Sequence, residues 1–264
     1  MSELSYAEYE SLLRRDLMAF TQRSFYELNP QTQFYESPHI EVMAAKLEEC
    51  RQGIVKRLIV NMPPRSLKSH AVSVAYVAWL LGHNPAMQVI CASYGQELSE
   101  KHARDCRTLM SSTFYRKLFP RTRLSPEKQS VNEFMTTEQG FRMSTSVSGV
   151  LTGRGADLII LDDPLKPEEA LSETRRTSVN DWYSNTLLSR LNNKQNGVII
   201  IVMQRLIRMI SSGTFWNRNP GKYCRSRLLL KKMRHTSSMV LWAAVSFIVR
   251  RGMRSNRNAN RKPS

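Results

Sequence analysis

Seven residues, Pro63-Pro64-Arg65-Ser66-Leu67-Lys68-Ser69, separate a short apolar run from an Ala- and Val-rich stretch. A Lys followed by a Ser at the start of a helix suits polyphosphate. The ammonium can meet the β- and γ-phosphates, the hydroxyl can ligate Mg2+, and the helix N-terminus adds partial positive charge. Such a turn must also aim backbone N–H groups into a cavity, which is ordinarily the work of glycines. Met62 and Leu67 stand where GxxxxGK[ST] has its two glycines. In isolation, a plain strand–turn–helix connection explains the segment better.

A second run, Leu158-Ile159-Ile160-Leu161-Asp162-Asp163, would carry two carboxylates to the end of a buried strand. In phosphoryl chemistry one carboxylate holds Mg2+, and its neighbour orients or deprotonates the attacking water. Asp-Asp-Pro is also good turn chemistry, so a capped strand end is an equal alternative. Together, in one strand–helix pattern, the two runs are harder to assign to turns alone. Ligands of parallel α/β sheets bind at the carboxyl ends of strands.

The elements that must position these groups are legible in the hydrophobic pattern. Residues 5–28 look helical, with Tyr6, Tyr9, Leu13, Leu17 and Phe20 near a 3.6 period, and so do 38–52, with Ile40, Met43 and Leu47 on one face. Strands are expected at 58–62, 87–92, 158–161 and 198–203, and helices at 68–81, 96–110 and 173–191. A hairpin is expected over 133–136 and 141–144. Short continuous apolar strands alternating with helices predict an α/β fold, a mostly parallel sheet flanked by helices.

The ordered runs RLIVNMPPRSLKSH, ICASYGQELSEKHARDCR, GVLTGRGADLIILDDPLKPEEA, NDWYSNTLLSRL and VIIIVMQRL resemble the large terminase subunits of tailed bacteriophages and prophages. The likeness spans about residues 30–206. It implies a P-loop, RecA-like ATPase core using ATP and Mg2+, and it makes PPRxxKS a known variant of the phosphate loop. By that resemblance Pro64, Arg65, Ser66, Leu67, Lys68 and Ser69 would wrap the phosphates. Ser69 and Asp162 would serve the metal, and Asp163 would be the catalytic base. Arg65 would stabilise charge in the transition state, with a surface Arg capping a carbonyl as its plainer alternative. Arg154 could share that role or touch DNA. Gln204 and Arg205 would sense the γ-phosphate. The implied partners are double-stranded DNA, a small terminase subunit, a portal protein and further copies in a ring, in the cytoplasm of a bacterial host. An inactive remnant of a decayed prophage, or another P-loop ATPase such as a helicase-like protein, are the alternatives.

Other side chains take plain readings. His39 is expected to be a satisfied surface or core histidine. Tyr94 is expected to pack at a strand end. His102, Arg104 and Arg107 with Glu100 and Asp105 read as a solvated, ion-paired helix face. The four cysteines, Cys50, Cys91, Cys106 and Cys224, have no metal-like spacing and suit a reducing compartment. The polar N-terminus is unlike a signal peptide. The run 241–249 is far short of the roughly 20 residues a membrane helix needs.

The chain has 264 residues and a net charge of +17, which suggests nucleic-acid binding. The charge is not evenly spread. Residues 207–264 hold 14 of the 39 basic residues and no Asp or Glu, leaving 25 basic against 22 acidic before them. The expected organisation is therefore a helical region at 1–52, an ATPase core at 53–206 and an aberrant basic tail at 207–264. Reading the tail one base out of frame offers a source for it. Several residue pairs then force one answer: Met209-Ile210 gives Asp, Phe215-Trp216 Leu, Trp216-Asn217 Glu, and Tyr223-Cys224 Leu. Met239-Val240 and Trp242-Ala243 each give Gly. With free third bases the shifted text can read HQNDLVGHVLE and then LSLPAIAEEDET, which resembles the terminase continuation. The expectation is a frameshift near codon 206 that removes the LSLPA strand and a later nuclease. The sheet would then keep an apolar edge that the tail is poorly placed to cover.

Overall fold

The computed structural model describes residues 5–149, 151, 153–204, 224–227 and 246–251. The expected helix over 5–28 is two helices, α1 (Tyr6–Arg15) and α2 (Leu17–Leu28). Ser5 and Glu8 form a capping box on α1. Asp16 breaks the run because it closes α1 and caps α2, accepting from the Ala19 N–H at 3.0 Å. α3 (Pro38–Arg51) begins on a proline, which gives up no internal hydrogen bond at that position.

Among the described residues, nine strands form one sheet in the order β3-β4-β5-β2-β6-β7-β1-β9-β8. They are β1 (Val55–Met62), β2 (Gln88–Ser93), β3 (Leu124–Gln129), β4 (Glu133–Thr136), β5 (Phe141–Ser146), β6 (Leu158–Asp162), β7 (Val198–Gln204), β8 (Cys224–Arg227) and β9 (Ser246–Arg251). The five central strands β5, β2, β6, β7 and β1 are mutually parallel. The expected hairpin is β4–β5, extended by β3 into an antiparallel flank.

Alternate residues of the central strands enter two cores. Leu58, Val60, Val89, Leu158, Ile160 and Val202 face α1–α3, α4 (Val77–His83), α5 (Gln96–Ser111) and α6 (Thr113–Leu118). Ile59, Ile90, Ile159, Leu161 and Ile201 face Trp182, Tyr183 and Leu187, at and beyond the end of α7 (Glu173–Trp182). Both faces are covered, which is why these strands are apolar throughout rather than alternating.

Two expectations need correction. The helix at 68–81 is not uniform: it is wound as a π-helix over His70–Tyr76 before continuing as α4. The open edge expected beside β1 is also not open, since β9 pairs antiparallel with it and β8 with β9. Unpaired N–H and C=O groups on an edge accept any extended segment, whatever its origin. Among the described residues no helix is long and apolar enough to cross a membrane.

Candidate functional site

The parallel register sets the carboxyl ends of the central strands side by side. Ser93 lies opposite Asp162, Asp162 opposite Val202, and Met62 opposite Gln204. The turn after β1 and the end of β6 therefore converge. Lys68 Nζ donates to Asp163 Oδ2 at 2.8 Å, with side-chain exposures of 7% and 12%. Ser69 Oγ donates to Asp162 Oδ1 at 3.1 Å.

The turn achieves its shape without glycine. Arg65 and Leu67 take positive φ, 59° and 58°, while Ser66 between them does not. Alternating φ signs make successive N–H groups point inward, the arrangement that receives an anion. For side-chain-bearing residues this conformation costs about 1–3 kcal/mol each and survives only where the surroundings enforce it. Here Ser66 Oγ donates to the Pro63 carbonyl at 2.8 Å, and His39 Nε2 lies 3.2 Å from the Ser66 carbonyl. Leu67 also packs against the core. Of the two positions where glycine is missing, Leu67 is an enforced left-handed residue, joined by Arg65, while Met62 ends β1 in extended form.

Asp163 is likewise left-handed, with φ 46°. Its N–H donates to the Val202 carbonyl at 2.8 Å, and its own carbonyl accepts from Tyr94 N–H at 3.0 Å. The Gln204 N–H donates to Oδ1 at 3.0 Å. The backbone of Asp163 is therefore held between β7 and the end of β2, and its carboxylate between the Gln204 N–H and Lys68. Burial raises the Asp163 pKa above the usual carboxylate range, the neighbouring Asp162 adds to the rise, and Lys68 opposes it. Burial also raises Asp162, against the pull of the Ser73 hydroxyl and Lys68.

A pocket of about 300 Å³ opens on the turn, bounded by Arg65–His70, by Phe25 of α2 and its C-cap Asn29, and by Lys101 and His102 of α5. Among the described residues no cluster of three or more His, Cys, Asp or Glu could hold a metal alone. Ser69 and Asp162 supply hard oxygen donors, which fit Mg2+ shared with phosphate oxygens.

The structure brings together Arg65, Ser66, Leu67, Lys68, Ser69, Asp162, Asp163 and Gln204, with Pro64 on the same turn. Arg205 lies outside the described residues. Arg154 points elsewhere: its guanidinium is 2.6 Å from Glu133 Oε1 and 5.2 Å over the Phe141 ring. Tyr94 carries Lys166 Nζ 5.7 Å from its ring centre. The solvated-face reading fails for His102, which is buried with Nε2 3.7 Å from Asp162 Oδ2. Burial first, then Arg142, holds His102 down to about 4, so it is neutral. The signal was present in the sequence: Ser99, His102, Ala103 and Cys106 make one buried stripe of α5. Sequence reasoning also missed Ser73 and Arg142 around Asp162.

Comparison with protein-family models finds no match, and comparison with curated proteins finds none either. Among solved structures the chain is similar to the large terminase of bacteriophage HK97, with TM-score 0.44 and 14% identity over 72% of this chain and 37% of that one. It is also similar to the ATPase domain of the large terminase of Thermus phage P74-26, with TM-score 0.44 and 16% identity over 68% of each. The chain thus spans well under half of the HK97 protein.

Proposed function

We propose that this chain is an ATP-hydrolysing domain of the large-terminase type, whose turnover drives double-stranded DNA into a capsid. The observation that carries the reading is the meeting of Lys68 and Ser69 with Asp163 and Asp162, partners 95 and 93 residues apart in sequence. Turn chemistry alone explains each motif but not their convergence at the carboxyl edge of a parallel sheet.

Each residue then has a task. Lys68 exchanges Asp163 for the β/γ-phosphates. Ser69 and Asp162 hold the cation, which when bound offsets charge on the phosphate oxygens. Asp163, made more basic by burial, accepts a proton from the water that attacks the γ-phosphorus. Gln204, already bonded to Asp163, reports the state of the site to whatever follows β7. Arg65, exposed on the turn, is free to approach the γ-phosphate. The ordered motifs shared with large terminases support DNA, a portal, a small subunit and a ring of copies as the setting, inside a bacterial host.

The deciding experiment is ATP binding by titration calorimetry on the full chain and on Lys68→Ala, with Mg2+. Loss of binding in the variant is expected. Equal affinity would overturn the site, and would assign any ATP uptake to the basic tail. Binding without phosphate release in the parent would favour the inactive remnant.

A further inference from the structure

Among the described residues, Arg142 is the largest charged side chain with no solvent exposure, and it lies on β5. No carboxylate among those residues is bonded to it. Its guanidinium donates to Ser144 Oγ and, at 3.5 Å, to the Ser73 carbonyl. Burying a guanidinium costs several kcal/mol unless charge and hydrogen bonds compensate, so its place in a core asks for a reason. The compensating charge is one residue away. Ser73, 1% exposed, donates its hydroxyl to Asp162 Oδ2 at 2.6 Å, and Asp162 is also 1% exposed.

The helix is π-wound through this point, over His70–Tyr76. A π turn is rare, is frequently found at functional sites, and here has contacts from outside the helix. Arg142 supplies one, on the carbonyl of the residue whose hydroxyl grips Asp162. Ser69 and Ser73 sit one turn apart and take opposite oxygens of the same carboxylate, Oδ1 and Oδ2. Ser69 belongs to the phosphate turn. Ser73 does not, and no part of the proposed chemistry needs it to touch a ligand.

We propose that Ser73 and Arg142 are positioning residues for the metal carboxylate: Arg142 holds the π-wound turn, and Ser73 pins Asp162 Oδ2 so that Oδ1 alone faces the cation beside Ser69. The inference rests on the Mg-nucleotide reading of the site. Lys68 is then the cation that moves to the phosphates, and Arg142 the one that stays.

The test is the gain in ATP affinity that Mg2+ provides, taken as the ratio of Kd in EDTA to Kd in Mg2+. It is measured on the full chain for the parent, Ser73→Ala, Arg142→Lys and Lys68→Ala. Ser73→Ala removes one oxygen and should still fold, with its melting temperature lowered by loss of the bond to buried Asp162. It should cut the Mg2+ gain about tenfold, the scale of one hydrogen bond to a charged group. Affinity in EDTA should stay within about twofold, since no phosphate contact is lost. Arg142→Lys keeps the charge but cannot span both acceptors, and should lower the gain in the same way; if it does not fold, Ser73→Ala decides alone. A parental Mg2+ gain in Ser73→Ala, with binding lost in Lys68→Ala, overturns the positioning role and leaves the site intact. Equal weakening with and without Mg2+ also overturns it. Unchanged binding in Lys68→Ala removes the site itself, a distinguishable failure.

Discussion

Replacing Asp163 with Asn should separate binding from chemistry, and the structure sets the size of both effects. Without nucleotide, Lys68 is committed to Asp163 at 2.8 Å, and both are nearly buried. Their attraction is about 6 kcal/mol at an effective dielectric of about 20, before desolvation is subtracted. Breaking such a pair from one side costs about 3–5 kcal/mol. Asn keeps an oxygen for Lys68, so Asp163→Asn should lose about 3 kcal/mol of stability without nucleotide, the low end of that range. Phosphate restores a partner to Lys68, so the variant regains part of that loss on binding, whereas the parent must first give up its pair. ATP should therefore bind Asp163→Asn about tenfold more tightly. Turnover should fall at least about a hundredfold, because the amide cannot take a proton from water. Thermal melting gives the first quantity, calorimetry the second and phosphate release the third. Equal or weaker ATP binding in Asp163→Asn would refute the idea that this ion pair competes with phosphate. Undiminished turnover would refute Asp163 as the base.

Arg65→Gly should melt higher than Arg65→Ala by the equivalent of about 1 kcal/mol, because only glycine adopts φ 59° freely. Both variants should lose turnover at least about tenfold with ATP affinity nearly unchanged; a matching loss of affinity would make Arg65 a binding residue only. Burial holds His70 and His102 down to about 4, so between pH 6.5 and 4 the unfolded chain binds more protons. Stability should fall as pH drops through that window, by up to about 3 kcal/mol per histidine. The raised Asp162 and Asp163 bind protons in the folded state and offset part of this fall. Melting at pH 7 and 5 should show a smaller drop in His102→Gln than in the parent, and an identical drop would contradict the assignment. Burial pushes the Cys50 and Cys106 thiols up to about 12 and also raises Cys91, so thiol reagents should reach these three only after denaturation.

The strands that carry the site were legible because burial on both faces makes each an unbroken apolar run. Ile159 and Ile160 enter opposite cores, yet both must be apolar. Lys68, Ser69, Asp162 and Asp163 stood out because phosphate chemistry calls for those residue types after a buried strand, and the fold brings the four together. Ser73 and Arg142 were not, because their importance lies in what they touch across the sheet: Arg142 stands 69 residues from Ser73. A Ser in a helix and an Arg in a short strand are ordinary until register puts β5 beside β2 and β2 beside β6. The phosphate turn was half legible. The absence of glycine read as evidence against an anion cradle, because left-handed Arg65 and Leu67 are imposed by tertiary contacts that no local pattern announces.

The edge of β1 holds the last prediction. In an α/β unit the next strand arrives by a crossover and docks parallel. Here β9 docks antiparallel, with β8 folded back on it, and its register with β1 shifts between Val55 and Arg57. That is the form of strand addition to an available edge, which needs only an extended segment and no crossover. The run Ser246-Phe247-Ile248-Val249 has the β-branched and aromatic residues that such pairing favours. If residues 207–264 come from a shifted frame, the one-base-restored sequence should contain the LSLPA segment, and that segment should lie parallel to β1 where β9 lies now. Sequencing the gene through codon 206, followed by structure determination of the restored chain, tests both halves. A stop codon soon after the restored junction would sink the frameshift. A restored chain whose β1 neighbour is still antiparallel would mean that the edge itself, and not the origin of the tail, dictates how it is paired.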